Sequence, residues 1–190
     1  HQVDEPDEAA RRIVDINLHG VVTGTKLALG LMLPRRRGHI VNIASQAGRA
    51  AFGGVATYCA SKFGVVGYSL SVADEVRDTP DLHITCVLPA VTRTELTDGL
   101  PKPPFLSIGP DDVALGIVRG LQRPKRMVYV PRTGGVILTV MNALPPRARW
   151  GLEKALRMEG GAMTYDEDAR RAYEDRAARE VHGVREDDPR

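Results

Sequence analysis

The sequence predicts an α/β chain built on a parallel sheet, and three observations carry that expectation. Three short runs rich in β-branched and apolar residues read as strands: His39-Ile40-Val41-Asn42-Ile43-Ala44, His83-Ile84-Thr85-Cys86-Val87-Leu88 and Arg126-Met127-Val128-Tyr129-Val130. They lack strict alternation with polar residues, as strands buried on both faces do. A stretch of helical character precedes each run, and that alternation is the pattern of parallel strands joined by helical crossovers.

The first helix is expected over residues 6–32. Pro6 suits a first turn, and Asp4, Glu5, Asp7 and Glu8 favour the positive end of its dipole. Its apolar residues, from Ile13 to Met32, cover more than one face, as in a helix with a sheet on one side and a partner on the other. Pro34, the basic run Arg35-Arg36-Arg37 and Gly38 end it. After the first strand, Ser45-Gln46-Ala47-Gly48 breaks the apolar pattern, and Gly53-Gly54 leads into a second helix over 55–77. Thr79-Pro80-Asp81 stops that helix. Pro89 closes the second strand, and a loop rich in Thr, Pro and Gly runs to Ser107. Pro110-Asp111-Asp112 opens a third helix that reaches about residue 121. The character changes after Pro131. Residues 135–144 are apolar, 147–158 are basic and amphipathic, 164–179 suggest a charged helix, and the last five residues are expected to be disordered. The chain therefore divides into an α/β part, 1–131, and a helical extension, 132–190.

Composition narrows the function. The 190 residues carry 26 Lys+Arg against 24 Asp+Glu, a net +2, which argues against a nucleic-acid binder. Two cysteines, Cys59 and Cys86, offer neither a disulfide framework nor a CxxC metal pair, so no metal site is expected. No apolar run approaches the ~20 residues of a transmembrane helix, and no signal peptide is visible. A cytoplasmic protein is the expectation.

The chemistry starts at Tyr58-Cys59-Ala60-Ser61-Lys62. Tyr58 and Lys62 stand at i and i+4 and share one helix face. A free phenol titrates near ~10, and an adjacent ammonium favours its ionised form, which would bring it toward neutrality. The alternative reading of the pair is a surface tyrosine stacked along a lysine stem. Ser45 directly follows the first strand, where open α/β sheets place ligands, although it also suits a cap or turn. Asn17 sits mid-helix, where Asn is a poor former and a costly buried group unless satisfied. Pro89-Ala90-Val91-Thr92-Arg93-Thr94 follows the second strand and brings hydroxyls to the same end of the sheet. The chain uses Arg at most basic positions but keeps Lys at 62, and a compact ammonium with three donors fits a ribose-and-phenol site.

Together these segments resemble the short-chain dehydrogenase/reductase family over residues 3–131. Asn17-Leu18-His19-Gly20, the run from Gly38 to Gly48, Tyr58-Cys59-Ala60-Ser61-Lys62 and Pro89 to Thr94 agree with it in order and spacing. The resemblance implies a partial Rossmann-like, doubly wound parallel sheet of about three strands. It implies an NAD- or NADP-dependent oxidoreductase that interconverts an alcohol and a ketone or aldehyde. Tyr58 would be the general acid/base, Ser45 would bond the substrate oxygen, and Lys62 would lower the Tyr58 pKa and hold the nicotinamide ribose. Asn17 would position a water in a proton relay. Tyr58, Lys62, Pro89, Thr92 and Thr94 would contact the cofactor. Ala90 departs from the family, which usually has Gly there.

The resemblance also marks an absence. No Gly-rich phosphate-binding turn precedes Asn17, and roughly three βα units of the family pattern are missing. The expectation is a C-terminal portion of an enzyme that by itself is inactive, binds cofactor weakly and is poorly soluble. A non-catalytic scaffold of the same fold is the alternative. The resemblance implies a homodimer or homotetramer through helices 6–32 and 55–77. Leu96, Leu100, Phe105 and Leu106 suggest an apolar pocket for a hydrophobic substrate. The basic, Trp-bearing stretch 147–158 suits either a cover over the cleft or a peripheral membrane contact.

Overall fold

The computed structural model describes residues 2–94, 97 and 107–155. Three parallel strands form its sheet. β1 (Arg37–Ile43) and β2 (Asp81–Pro89) pair in register from Arg37↔Asp81 to Ile43↔Val87. β5 (Met127–Val130) pairs on the far side of β2, from Cys86↔Met127 to Pro89↔Val130, giving the order β1-β2-β5. The parallel α/β fold read from the sequence is thus the fold observed.

Helices cover both faces. A short 3-10 turn at Gln2–Asp4 precedes the region expected as one helix, which runs as α1 (Asp7–Val14), a π turn over Asp15–His19 and α2 (Gly20–Met32). Backbone angles at Asp15 and Gly20 stay right-handed helical, so the rod continues but widens by one residue around Asn17. α3 (Ala56–Glu75) is the second helix. Ile40 of β1 and Leu82 and Ile84 of β2 meet Val72, Ala73 and Val76, with Ala28, Leu29 and Met32 of α2 alongside. Nearer the carboxyl ends, Ala44, Cys86 and Leu88 bury against Val65 and Val66. Each Val, Leu or Ile side chain among these, fully buried, contributes about 1.5–3 kcal/mol. Asn42 is the polar exception inside this layer. It accepts from Thr25 Oγ1 at 3.1 Å and donates to Ser69 Oγ at 3.0 Å, so its burial is compensated.

α4 (Pro110–Gln122) covers the opposite face, where Val113 and Ile117 pack with Val41, Val87, Val128 and Val130. Pro110 opens it as the sequence suggests, and the Asp112 carboxylate accepts the Gly109 N–H at 2.9 Å.

The stretch read as an unbroken loop from 90 to Ser107 contains a small parallel ladder, β3 (Val91–Thr92) with β4 (Ser107–Ile108). Two residues per strand leave no periodic signal in a sequence, which is why it escapes sequence reading. α5 (Arg132–Ala143) and α6 (Pro146–Ala155) follow. Leu138 and Met141 of α5 bury with Ala50, against Phe52 and Tyr129. One face of the apolar stretch after Pro131 is therefore core, while Val136 and Val140 on its other side are exposed. No helix among the described residues is long and apolar enough to cross a membrane. The expected helix at 164–179, the expected disorder at 186–190 and the pocket residues Leu96, Leu100, Phe105 and Leu106 lie outside the described residues.

Candidate active site

The carboxyl ends of β1 and β2 and the start of α3 converge on one group of polar side chains. Ser45 follows β1 in an extended conformation (φ −165°, ψ 161°). Its Oγ accepts the Ala47 N–H at 3.1 Å and caps a 3-10 turn, Gln46–Gly48. That turn lies against α3 so closely that a Cβ on Gly48 would stand 2.5 Å from the Lys62 carbonyl oxygen. Glycine here is a requirement of space, since any side chain would push the turn off the helix.

Tyr58 and Lys62 sit in the first turns of α3, both partly buried. Lys62 Nζ lies over the Tyr58 ring, 5.7 Å from its centroid, and donates to the Ile43 carbonyl at 3.4 Å. The ammonium is thereby pinned at the end of β1. Burial raises the Tyr58 pKa above the usual 10.0; a hydrogen bond from Ser45 opposes this, and the nearby Cys59 adds to it. Burial lowers the Lys62 pKa below 10.5, against a smaller pull upward from Cys86. Desolvation is the largest influence on both groups. Cys86 itself is pushed up to about 11 by burial, so it stays a thiol at neutral pH and offers no nucleophile.

Asn17 lies in the π turn and donates from Nδ2 to Ser61 Oγ at 3.2 Å. Ser61 in turn donates to the Tyr58 carbonyl at 2.7 Å. Asn17 is therefore tied to the Tyr58 backbone through one buried hydroxyl.

Pro89 ends β2 buried, and the next amide, that of Ala90, donates to the Val130 carbonyl at 2.8 Å. The methyl of Ala90 packs with Val87, Ile108 and Val130, so the departure from Gly is accommodated. Thr92 Oγ1 donates to the Ala90 carbonyl at 3.2 Å. The Thr94 amide donates to Thr97 Oγ1 at 3.2 Å, and Thr97 reaches the Thr92 carbonyl at 2.7 Å. Among the described residues, no hydrogen bond joins Thr92 or Thr94 to the Ser45–Tyr58–Lys62 group.

Four participants escape sequence reading. Ser61 bridges Asn17 and Tyr58, and its place three residues after Tyr58 on the same helix face was the available signal. Gly48 sets how closely the Ser45 turn approaches α3. Gln46 is buried and donates to the Val130 carbonyl at 3.3 Å, with Gly134 of α5 leaving the room it needs. Thr97 holds the turn at 92–94, and nothing in the sequence distinguishes it from its neighbours.

The family model for short chain dehydrogenases matches residues 2–103. The chain belongs to that family. It is 33% identical over 152 residues to retinol dehydrogenase 10-B of Xenopus laevis, covering 76% of this chain and 45% of that protein. It thus spans about half the length of the curated relatives it matches. A short chain dehydrogenase from Burkholderia cenocepacia, solved with NADP, superposes with a TM-score of 0.66 at 23% identity, covering 80% of this chain and 62% of that one. An actinorhodin polyketide ketoreductase solved with NADPH gives 0.60 at 28% identity, covering 68% and 60%.

Proposed function

We propose that this chain carries the catalytic part of an NAD- or NADP-dependent oxidoreductase that interconverts an alcohol with a ketone or aldehyde. The observation that carries the reading is the grouping of Ser45, Tyr58 and Lys62 at the carboxyl ends of parallel strands, where open α/β sheets bind ligands. The donor set fits a nicotinamide nucleotide. Lys62 and Tyr58 present an ammonium and a phenol suited to ribose hydroxyls. The backbone at Pro89, with Thr92 and Thr94, presents groups suited to a carboxamide and a phosphate. A bound nicotinamide supplies or accepts the hydride. In reduction, Tyr58 gives its phenolic proton to the substrate carbonyl oxygen; in oxidation it takes the alcohol proton. Its raised pKa keeps that proton in place for the reductive direction. Ser45 bonds the same oxygen and steadies charge as it develops. Lys62 returns the proton to Tyr58, and Asn17, held by Ser61, positions the water that connects Lys62 with solvent.

The retinol-active name of the relative supports a hydrophobic alcohol or carbonyl as substrate. A homodimer or homotetramer in the cytoplasm completes the reading. Ile16, Leu27 and Leu31 of the first helical rod, each more than 60% exposed, and Phe63 of α3, 45% exposed, support association through those helices. A second reading is a catalytically inactive piece or a scaffold of the same fold. It is favoured by the pKa directions of Tyr58 and Lys62, since burial works against the ionised form of each.

The test is Tyr58→Phe. The enzyme reading expects turnover to fall by about 10²-fold or more with the thermal melt unchanged. Equal turnover in variant and wild type refutes Tyr58 as the acid/base.

A further inference from the structure

We propose that Gln46 and Asn142 are positioning residues, which clamp the turn carrying Ser45 onto α5 and so make that helix part of the apparatus that aims the Ser45 hydroxyl. The inference deepens the proposed reaction and rests on it for the role of Ser45.

The segment from Ser45 to Ala50 is tied into one piece. The Gly48 amide donates to the Ser45 carbonyl at 2.9 Å, and the Arg49 and Ala50 amides donate to the Gln46 carbonyl at 2.9 and 3.1 Å. The Ala47 amide adds its bond to Ser45 Oγ. A displacement at Arg49 or Ala50 is therefore passed back to the hydroxyl. These bonds give the turn its shape but not its place. The approach of Gly48 to Lys62 and Val66 sets the distance to α3, yet contact at one glycine leaves the turn free to tilt about it.

α5 supplies the further points. Gln46 is 6% exposed, and its Nε2 donates to the Val130 carbonyl just before α5 begins. The Gln46 amide lies so close to the first turn of α5 that a Cβ on Gly134 would stand 2.3 Å from Nε2 and 2.6 Å from Oε1. Farther along, by about 12 Å at the rise of a helix, Asn142 Nδ2 donates to the Arg49 carbonyl at 2.8 Å. Between these two bonds, Leu138 and Met141 bury against Ala50, which is 1% exposed. Asn is a poor helix former, and water would satisfy an exposed amide, so the bond to Arg49 is what Asn142 contributes in α5. Two polar anchors with an apolar contact between them resist the tilt that Gly48 alone allows. A reacting group displaced by about 1 Å loses about 10²-fold in rate, so such a clamp acts on the chemical step.

The experiment reads the clamp first without substrate, by NMR amide exchange on the full chain. The amides of Ala47, Gly48 and Ala50 report the turn, and those of Val65 and Val66, buried in α3, report the fold. Asn142→Ala should speed exchange of the turn amides by about tenfold or more and leave the α3 amides within about twofold. Gln46→Ala should do the same. Val136→Ala, on the exposed side of α5, should change neither set. Turn amides as protected in both variants as in the wild type overturn the proposal. Equal acceleration of both sets in Asn142→Ala also overturns it, by making the residue a general support of the fold.

Turnover then tests what the clamp is for. Asn142→Ala should lower kcat by about tenfold or more and leave KM for the nucleotide within about twofold. Its rate of alcohol oxidation should also rise at higher pH than in the wild type. The bond with Ser45 holds the Tyr58 pKa down, so loosening it makes the basic form appear later as pH increases. A kcat and pH profile equal to the wild type overturn the positioning role. A wild type with no turnover refutes the proposed reaction instead, and the exchange result still decides whether α5 clamps the turn.

Discussion

Replacing Gly48 with alanine adds one methyl group where the Ser45 turn meets α3. The new Cβ would stand 2.5 Å from the Lys62 carbonyl oxygen, 2.9 Å from its carbonyl carbon and 2.9 Å from Val66 Cγ2. Two of these atoms belong to a hydrogen-bonded helix backbone and cannot turn aside. Restoring ordinary contact at ~3.5 Å requires the turn and helix to separate by about 1 Å. Overpacking of this kind costs about 1–3 kcal/mol, which for a chain of this size lowers the melting temperature by roughly 3–10 °C. Ser45 caps the displaced turn, so the same shift moves its hydroxyl away from Tyr58 and should cost up to about 10²-fold in turnover. Gly67→Ala on the same helix is the control. A Cβ there meets nothing within 4 Å, so it should stabilise by about 0.5–1 kcal/mol. Differential scanning calorimetry on the three proteins reads the stability effect without any substrate. A Gly48→Ala protein that melts with the wild type would refute the close approach and the argument built on it.

Lys62→Met should stabilise the fold by about 1 kcal/mol or less while abolishing turnover, because burial works against the ammonium; a lower melting temperature would contradict this. His39, beside His83 at 5.5 Å and bonded to Thr85 Oγ1 at 2.8 Å, has its pKa lowered by burial and then by the His83 charge. The unfolded chain therefore binds that proton first as pH falls below 6.5, so stability present above 6.5 is lost toward the lower folded value. Urea midpoints for wild type and His39→Asn across that window should show a shallower loss in the variant. Ser61→Ala removes the link from Asn17 to the Tyr58 carbonyl and should cost about 1–2 kcal/mol by denaturant titration; an unchanged midpoint would show that the link carries no stability.

The sheet was legible because each strand's residues are apolar without alternation, and the helices because Pro6 and Pro110 mark their starts. The clustering of Ser45, Tyr58 and Lys62 followed from strand-end placement and one i,i+4 spacing. The π turn at Asn17 was not legible, since its hydrogen-bond shift leaves the apolar pattern helical on both sides. The β3–β4 ladder and the Thr97 staple depend on contacts between segments with no local periodicity. The direction of the Tyr58 shift was also beyond sequence reading. It depends on how deeply the phenol is buried and on its hydrogen bond with Ser45, neither of which spacing determines.

The most direct measurement is nicotinamide-coupled turnover in the protein as its source cell makes it, comparing wild type with Tyr58→Phe. Hydrophobic alcohols, with NAD and with NADP, are the first substrates to offer. The account predicts hydride transfer with one of the two nucleotides and its loss by about 10²-fold or more in the variant. Turnover that survives Tyr58→Phe undiminished would contradict it.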